Sequence, residues 1–144
     1  MTRSSSRDER GSASVEAAVG VPAFVLFVGL IIFGGRTATT YQSVETAAAY
    51  AARAASIERT AGSAKANAIS AATTSLSNQG VHCLDVDVTV DASQFSRTVG
   101  ETATVSVTVH CRLDLSDLSV PGVPGSRLIE ATMTSPIDTW RERG

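Results

Sequence analysis

The chain lacks the patterns that mark common enzymes and nucleic-acid-binding proteins. Its 144 residues contain no G-x-S-x-G, no glycine-rich phosphate loop and no H-E-x-x-H. Eleven arginines and one lysine are scattered along the chain, and fourteen acids offset them to a net charge of -2. Since no basic stripe results, nucleic acid is excluded as a partner. We expect no catalytic residue, no cofactor and no metal site.

Charge is also absent from one long stretch near the N-terminus. Nineteen residues between Glu16 and Arg36 carry none, and they read AAVGVPAFVLFVGLIIFGG. As a helix with a rise of about 1.5 Å per residue, this stretch nearly spans the roughly 30 Å hydrocarbon core of a bilayer. The sequence therefore predicts a transmembrane helix over residues 12–35. Pro22 removes one backbone donor within it and predicts a kink.

Two other interpretations of this stretch are weaker. A removable secretory signal usually has about 7 to 15 apolar residues followed by an A-x-A-like site. The site that imitates this pattern, residues 47–49, lies twelve or more residues beyond the apolar run. A buried core helix would need apolar surroundings that the rest of the chain does not supply.

Basic residues indicate the orientation of the predicted membrane helix. Arg3, Arg7 and Arg10 precede it, whereas only Arg36 and Arg53 occur in the twenty residues after it. Because basic residues favour the cytoplasmic side, we expect a cytoplasmic N-terminus and an exported chain from about residue 36 onward.

Small apolar side chains indicate a long helix after the membrane segment. Residues 37–61 lack Gly and Pro, and spacings of three and four place one apolar stripe on a helix face. The stripe consists of Tyr41, Val44, Ala48, Ala51 and Ala55. Gly62 interrupts the pattern, Ser63 can cap a new start, and SNQG at 77–80 ends it. The continuation consists of Ile69, Thr73 and Leu76. We expect a helical stalk over residues 36–80, bent or broken near Gly62.

The hydrophobic period then changes to two, which is typical of half-buried strands. The first apolar set is Leu84, Val86, Val88 and Val90. The second is Ala103, Val105, Val107, Val109, Cys111, Leu113 and Leu115. These runs predict an antiparallel hairpin, and residues 127–134 predict a third strand that Pro136 terminates. The Ala-rich helix would cover the apolar face of this sheet, so residues 81–144 form a small β-rich head with a C-terminal tail. The predicted fold class is α+β.

The tail contains Trp140, for which two positions stay open. Its ring would either pack on the sheet or meet the headgroup region of the membrane. Asp85, Asp87 and Asp91 alternate along the first strand and are interpreted as its solvated face.

The two cysteines, Cys83 and Cys111, are predicted to form a disulfide, because the exported side is oxidising and the hairpin places both at its open end. A regular ladder opposes this pairing. If the two apolar faces pair, the numbers of two directly opposite residues must sum to an odd value. The sum of 83 and 111 is even, so a regular ladder would put the two cysteines on different faces of the sheet. A bulge near one cysteine, or a position of Cys83 just before the strand, would resolve the conflict. A zinc site with His82 and His110, or two free thiols, are the alternatives.

Glu16 stands at the threshold of the apolar segment. A carboxylate within lipid costs at least about 2 to 3 kcal/mol, so such a residue usually has a partner, unless it lies at the interface and needs none. Gly11 and Ser12 suggest the partner. Cleavage after Gly11 would create an amine at Ser12, one helical turn from Glu16. The carboxylate could then pair with this amine or with that of a neighbouring subunit.

These features resemble the type IV prepilin class, and more closely the TadE-like minor pilins of tight-adherence (Tad/Flp) pilus systems. The resembling residues are the charged leader ending RDERG, the Gly11-Ser12 junction, SASVEAAVGVP with Glu16, and the apolar helix with Pro22. The resemblance implies that a prepilin peptidase removes the leader, residues 1–11, and that the apolar helix is retained. It also implies a role in pilus assembly, with other pilins, pseudopilins and the Tad membrane platform as partners.

The resemblance places the protein in the inner (cytoplasmic) membrane as a single-pass protein with its head exported, and in the pilus or on the cell surface after assembly. The chain is long compared with the tiny major Flp pilins, which favours a minor role. The alternative is a single-pass, membrane-anchored binding protein of the cell envelope in which the Gly-Ser-x-x-x-Glu spacing is coincidental.

Overall fold

Two helices precede a three-stranded antiparallel sheet. The computed structural model describes the backbone of residues 9–118 and 121–140, with side chains from residue 14 onward. The helices are α1 (Glu9–Ser56) and α2 (Ala61–Asn78). The strands are β1 (Cys83–Asp91), β2 (Ala103–Asp114) and β3 (Ser126–Ile137). Their order is β1-β2-β3, so β2 is central. The predicted α+β class is confirmed.

Residues 57–60 separate the two helices, close to Gly62 as predicted, but the predicted cap at Ser63 is wrong. α1 ends at Ser56, and Thr60 is the N-cap of α2, with extended backbone and a hydroxyl that accepts a hydrogen bond from the Ser63 backbone N–H at 3.1 Å. Ser63 is therefore the capped residue and not the cap. Gly62 lies in the first turn of α2. At the other end, Gly80 has a φ of 66°, which terminates the helix as the SNQG motif predicts.

Alanines line the contact between the helices. The buried residues of α1 include Val44, Ala47, Ala48, Ala51, Ala52 and Ala55, and those of α2 are Ala64, Ala68, Ala72 and Leu76. Small side chains at a spacing of four let the helices approach closely. Three predicted members of the stripes are exposed: Tyr41 at 50%, Ile69 at 45%, and Thr73. The sheet also contacts α1, which shifts its buried face away from Tyr41, and Ile69 lies one position off the alanine line of α2.

The sheet places its predicted apolar face against α1. In β2 the alternating residues from Ala103 to Leu113 are all buried, which confirms the period of two. α1 contacts β2 and β3 extensively, whereas β1 has its main helix contact with α2, and the inward valines of β1 are half-buried. Leu84 was predicted to face inward and is 59% exposed, because an irregularity between Cys83 and Val86 interrupts the alternation there.

Pro136 does not end the third strand, contrary to the prediction. It lies within β3, opposite Thr104. The Thr104 backbone N–H donates to Gln94 Oε1 at 2.9 Å, on the β1 side of β2. In regular antiparallel pairing the backbone groups opposite Thr104 then point away from β2, so the missing N–H of Pro136 removes no ladder hydrogen bond. β3 is an edge strand, which is where proline is tolerated.

The predicted stalk and the predicted head share one hydrophobic core. Residues 44–55 of α1, the alanines of α2 and the inward residues of the sheet form a single cluster. The C-terminal end of α1 is joined to β3 by the Ser135 hydroxyl, which lies 3.1 Å from the Ser56 hydroxyl. The second half of α1 is therefore the central element of the head.

Candidate functional site

The first half of α1 exposes its apolar side chains. Large hydrophobic residues between Val15 and Ile32 are exposed, and the most apolar 18-residue window has a mean hydropathy of 2.5 with none of its residues buried. A core helix of a soluble protein would bury these residues. By length and composition, this helix could span a membrane.

α1 runs without interruption through Gly11, Ser12, Glu16 and Pro22. Positions 12 and 16 are one helical turn apart and share a face of the helix. Glu16 is exposed, and among the described side chains it forms no salt bridge. The side chain of Ser12 and most of the leader, residues 1–8, lie outside the described residues. Cleavage after Gly11, pairing of the new amine with Glu16 and the kink at Pro22 stay predictions.

Side chains from the sheet side of the head contact α1 at the end of its apolar segment. Arg36 Nη1 donates to Asp117 Oδ2 at 2.6 Å, and Asp117 lies in a 3-10 turn (Ser116–Leu118) after β2. Phe33, one turn earlier, is partly buried against the core of the head. The Thr37 hydroxyl donates to the Phe33 carbonyl at 2.9 Å, which satisfies this polar group within the helix. The head therefore contacts α1 down to the last turn of the apolar segment.

A disulfide links Cys83 and Cys111, whose Cα atoms are 5.4 Å apart. Cys83 lies opposite Leu113, whereas Val86 lies opposite Cys111. The register therefore shifts between Cys83 and Val86, and this bulge is one of the two irregularities that the parity argument required. Both sulfurs are bonded to each other, so neither is a thiolate ligand for zinc. Among the described residues no group of three or more His, Cys, Asp or Glu side chains is placed to hold a metal ion.

The far end of the head carries Trp140, which is 82% exposed. It neither packs on the sheet nor lies near the apolar segment. Trp140 follows the end of β3, next to Ser135 and the C-terminal end of α1. Arg36 marks the end of the apolar segment and lies twenty helical residues before Ser56, a distance of about 30 Å along α1. The predicted packing of the Trp140 ring on the sheet is therefore wrong, and the ring lies at the end of the head opposite the apolar segment.

Two features of the structure were not predicted from the sequence. One is the Arg36–Asp117 pair, whose members are 81 positions apart. The other is an open groove between α1 and α2 with a volume of about 860 Å³, lined by exposed Tyr50 and Ile57 among polar residues. Neither has a local sequence signal, because both depend on how distant segments pack.

This geometry fits a membrane-anchored protein whose N-terminal helix is divided between a bilayer and an α+β head. Residues 11–53 match the family model of the TadE-like proteins. The match begins at Gly11, includes Ser12, Glu16 and Pro22, and ends within the core of the head. It confirms the resemblance to TadE-like proteins over this segment. No curated protein and no solved structure matches the chain significantly.

Proposed function

We propose that this protein is a non-enzymatic minor pilin that takes part in assembly of a Tad/Flp-type pilus. A prepilin peptidase cleaves it after Gly11, and the mature protein assembles through α1. The observation that carries the proposal is the TadE-like match at 11–53, which covers a helix that is apolar and exposed in its first half and buried in the head in its second half.

Retention of the apolar helix follows from the role of α1 in the core. A signal peptidase acting near residues 47–49 would cut α1 between buried residues, since Ala47 and Ala48 are fully buried. The head would lose Val44 and the first turns of its central helix. Cleavage after Gly11 removes none of these contacts, which supports the prepilin interpretation over a removable secretory signal.

Glu16 has a defined task in this proposal. After cleavage, the α-amine of Ser12 lies one helical turn from the carboxylate, so the two charges neutralise each other within a subunit or between neighbours. Either arrangement lowers the cost of placing Glu16 near lipid, which is at least about 2 to 3 kcal/mol for an unpaired charge. Pairing between neighbours would also fix the axial position of one pilin helix against the next.

The protein is placed in the cytoplasmic membrane with its N-terminus inside and its head exported. The excess of arginines before the apolar segment supports this orientation. The disulfide supports it independently, because such bonds persist in oxidising compartments. The partners are then the prepilin peptidase, membrane lipid, other pilins or pseudopilins, and the Tad assembly platform. After assembly the protein is part of the pilus or lies at the cell surface.

The role of Glu16 is tested by Glu16→Ala and Glu16→Gln in cells that assemble the pilus. We expect both variants to be cleaved as in the wild type but to be depleted from sheared pili. Glu45→Ala is the matched control, because Glu45 lies on the same helix in the region covered by the head. Normal incorporation of both Glu16 variants would contradict the assembly role.

A helix exchange separates the proposal from the membrane-anchor alternative. Residues 12–35 are replaced by an unrelated transmembrane helix, which leaves the core residues of α1 unchanged. A minor pilin should lose cleavage and pilus incorporation, whereas a simple membrane anchor would keep its function. Retained function after the exchange would overturn the proposal.

A further inference from the structure

The connection between β2 and β3 lies at the end of the head where α1 leaves its apolar segment. At the opposite end, Ser135 of β3 contacts Ser56 of α1. Ser126, at the start of β3, is nine strand residues before Ser135, a distance of about 31 Å along the strand. Arg36 is twenty helical residues before Ser56, a distance of about 30 Å along α1. The start of β3 is therefore level with Arg36, and the described parts of the connection, residues 115–118 and 121–125, lie at this end of the head.

Direct contacts confirm this placement. Asp117 bonds to Arg36, and Phe33 packs against the core of the head. The connection is closed at its base by a hydrogen bond of 2.9 Å from the Leu115 backbone N–H to the Gly125 carbonyl. Among the described residues of the connection, Asp117 is thus held next to the last turn of the apolar segment.

Uncharged residues form the outermost part of this connection. We call Leu118 together with residues 121–125 the basal loop. It contains no charged side chain; Pro121 and Pro124 are exposed, and Leu118 and Val123 are partly exposed. The charged residues nearest this end of the sheet and helix are Arg36, Asp85, Arg112, Asp114, Asp117 and Arg127. Three are basic and three acidic, so this end carries no net charge from them.

We propose that the basal loop rests in the headgroup layer of the bilayer that α1 spans, so that the head stands directly on the membrane surface before assembly. This inference rests on the transmembrane placement of α1 in the proposed function. The occupant is lipid because the loop lies beside the end of the exposed apolar segment that begins at Val15, next to the Arg36–Asp117 contact. Since the surrounding charges cancel, the contact does not depend on anionic lipid or on low salt.

Single-tryptophan variants of the full-length protein in phosphatidylcholine nanodiscs test this contact. In a Trp140→Phe background, Val123→Trp reports on the basal loop and Phe27→Trp reports on the membrane helix. Val99→Trp is the matched control, because it makes the same substitution in an exposed loop at the far end of the head. Emission and quenching by lipids brominated near the top of the acyl chain are measured at low and high salt.

We expect quenching of Trp emission and a shift to shorter wavelength in the Val123→Trp and Phe27→Trp variants, at both salt concentrations, with neither change in the Val99→Trp variant. Quenching in the Phe27→Trp variant without quenching in the Val123→Trp variant would overturn the basal contact and leave the membrane span intact. Quenching in neither would overturn both. Equal quenching in the Val123→Trp and Val99→Trp variants would show a head that lies on its side, which also contradicts the proposal. Pro124→Trp repeats the measurement should Val123→Trp fail to fold.

Discussion

Arg36 and Asp117 form an ion pair of 2.6 Å although 81 positions separate them in the sequence. Arg36 is the first charged residue after the apolar segment of α1, and Asp117 lies in the turn that follows β2. The pair therefore joins the end of the predicted transmembrane span to the nearest turn of the sheet. It identifies which end of the head lies next to that span.

The Arg36–Asp117 pair should orient the head more than it stabilises it. Both side chains are about half exposed, at 49% and 60%, and pairs of this kind contribute about 0 to 1 kcal/mol. A double-mutant cycle with Arg36→Gln and Asp117→Asn, measured by denaturant unfolding in detergent, should give a coupling energy in that range. Raising the salt concentration should weaken it. A coupling energy that salt leaves unchanged would show that the pair is shielded from solvent, contrary to the structure.

The disulfide should contribute substantially to the stability of the head. It closes a loop with a sequence separation of 28 residues. Chain-entropy estimates for a loop of this size give about 3 to 4 kcal/mol in the free energy of unfolding. We expect a loss of this order on adding reductant to the wild type.

The double variant Cys83→Ala with Cys111→Ala is the control for that measurement. It should have the lowered stability from the start and should not respond to reductant. A wild-type protein with the same stability in oxidising and reducing buffer would contradict the assigned contribution.

Close packing of α1 at its alanines gives a second stability prediction. Ala51 is fully buried, whereas Ala49 on the same helix is exposed. Ala51→Leu inserts three carbon atoms into a filled contact and should lower the free energy of unfolding by about 1 to 3 kcal/mol. Ala49→Leu makes the same chemical change toward solvent and should have almost no effect. Equal effects of the two substitutions in thermal or denaturant unfolding would be inconsistent with the observed helix face.

Periodicity predicted the sheet better than the helices. The alternation in β2 fixed which residues face α1, and the parity of positions 83 and 111 indicated that a disulfide would require an irregularity such as the observed bulge. A period of two leaves only two choices, so each position carries a clear signal. The helical stripes predicted the buried residues less precisely. α1 is covered on two sides, and in Ala-rich helices adjacent positions differ little in hydrophobicity.

Long-range contacts and local hydrogen bonds account for the remaining differences. Thr60 caps α2 through a single hydroxyl, and Ser63 three residues later is an equally plausible cap in sequence. Pro136 is tolerated because its strand is at an edge and its nitrogen points away from β2, a fact of sheet order that the sequence does not encode locally. For the candidate site, the Gly11, Ser12 and Glu16 spacing was visible in sequence, whereas the Arg36–Asp117 contact depends on the tertiary fold.

Asp91 gives a prediction for pH. Hydrogen bonds from the side chain and backbone of Ser93 lower its pKa below the ordinary value of 3.8. A carboxyl with a lowered pKa in the folded state stabilises the fold above pH 3.8, and this contribution is lost as the pH falls through the folded pKa. NMR titration should therefore show Asp91 with a midpoint below 3.8.

Asp91→Asn is the matched variant, because its amide oxygen can still accept from Ser93 but does not titrate. The stability difference between wild type and Asp91→Asn should shrink as the pH falls below 3.8. A difference that is constant across this range, or an Asp91 midpoint above 3.8, would contradict the assigned hydrogen bonds.

The proposed function depends on cleavage after Gly11, since the proposed amine partner of Glu16 exists only once Ser12 is the N-terminus. Mass spectrometry of the membrane-extracted protein, from cells with active prepilin peptidase, tests it most directly. We expect a mature chain that begins at Ser12 and retains the whole apolar segment of α1. A membrane-bound chain that still carries residues 1–11 in those cells would contradict it.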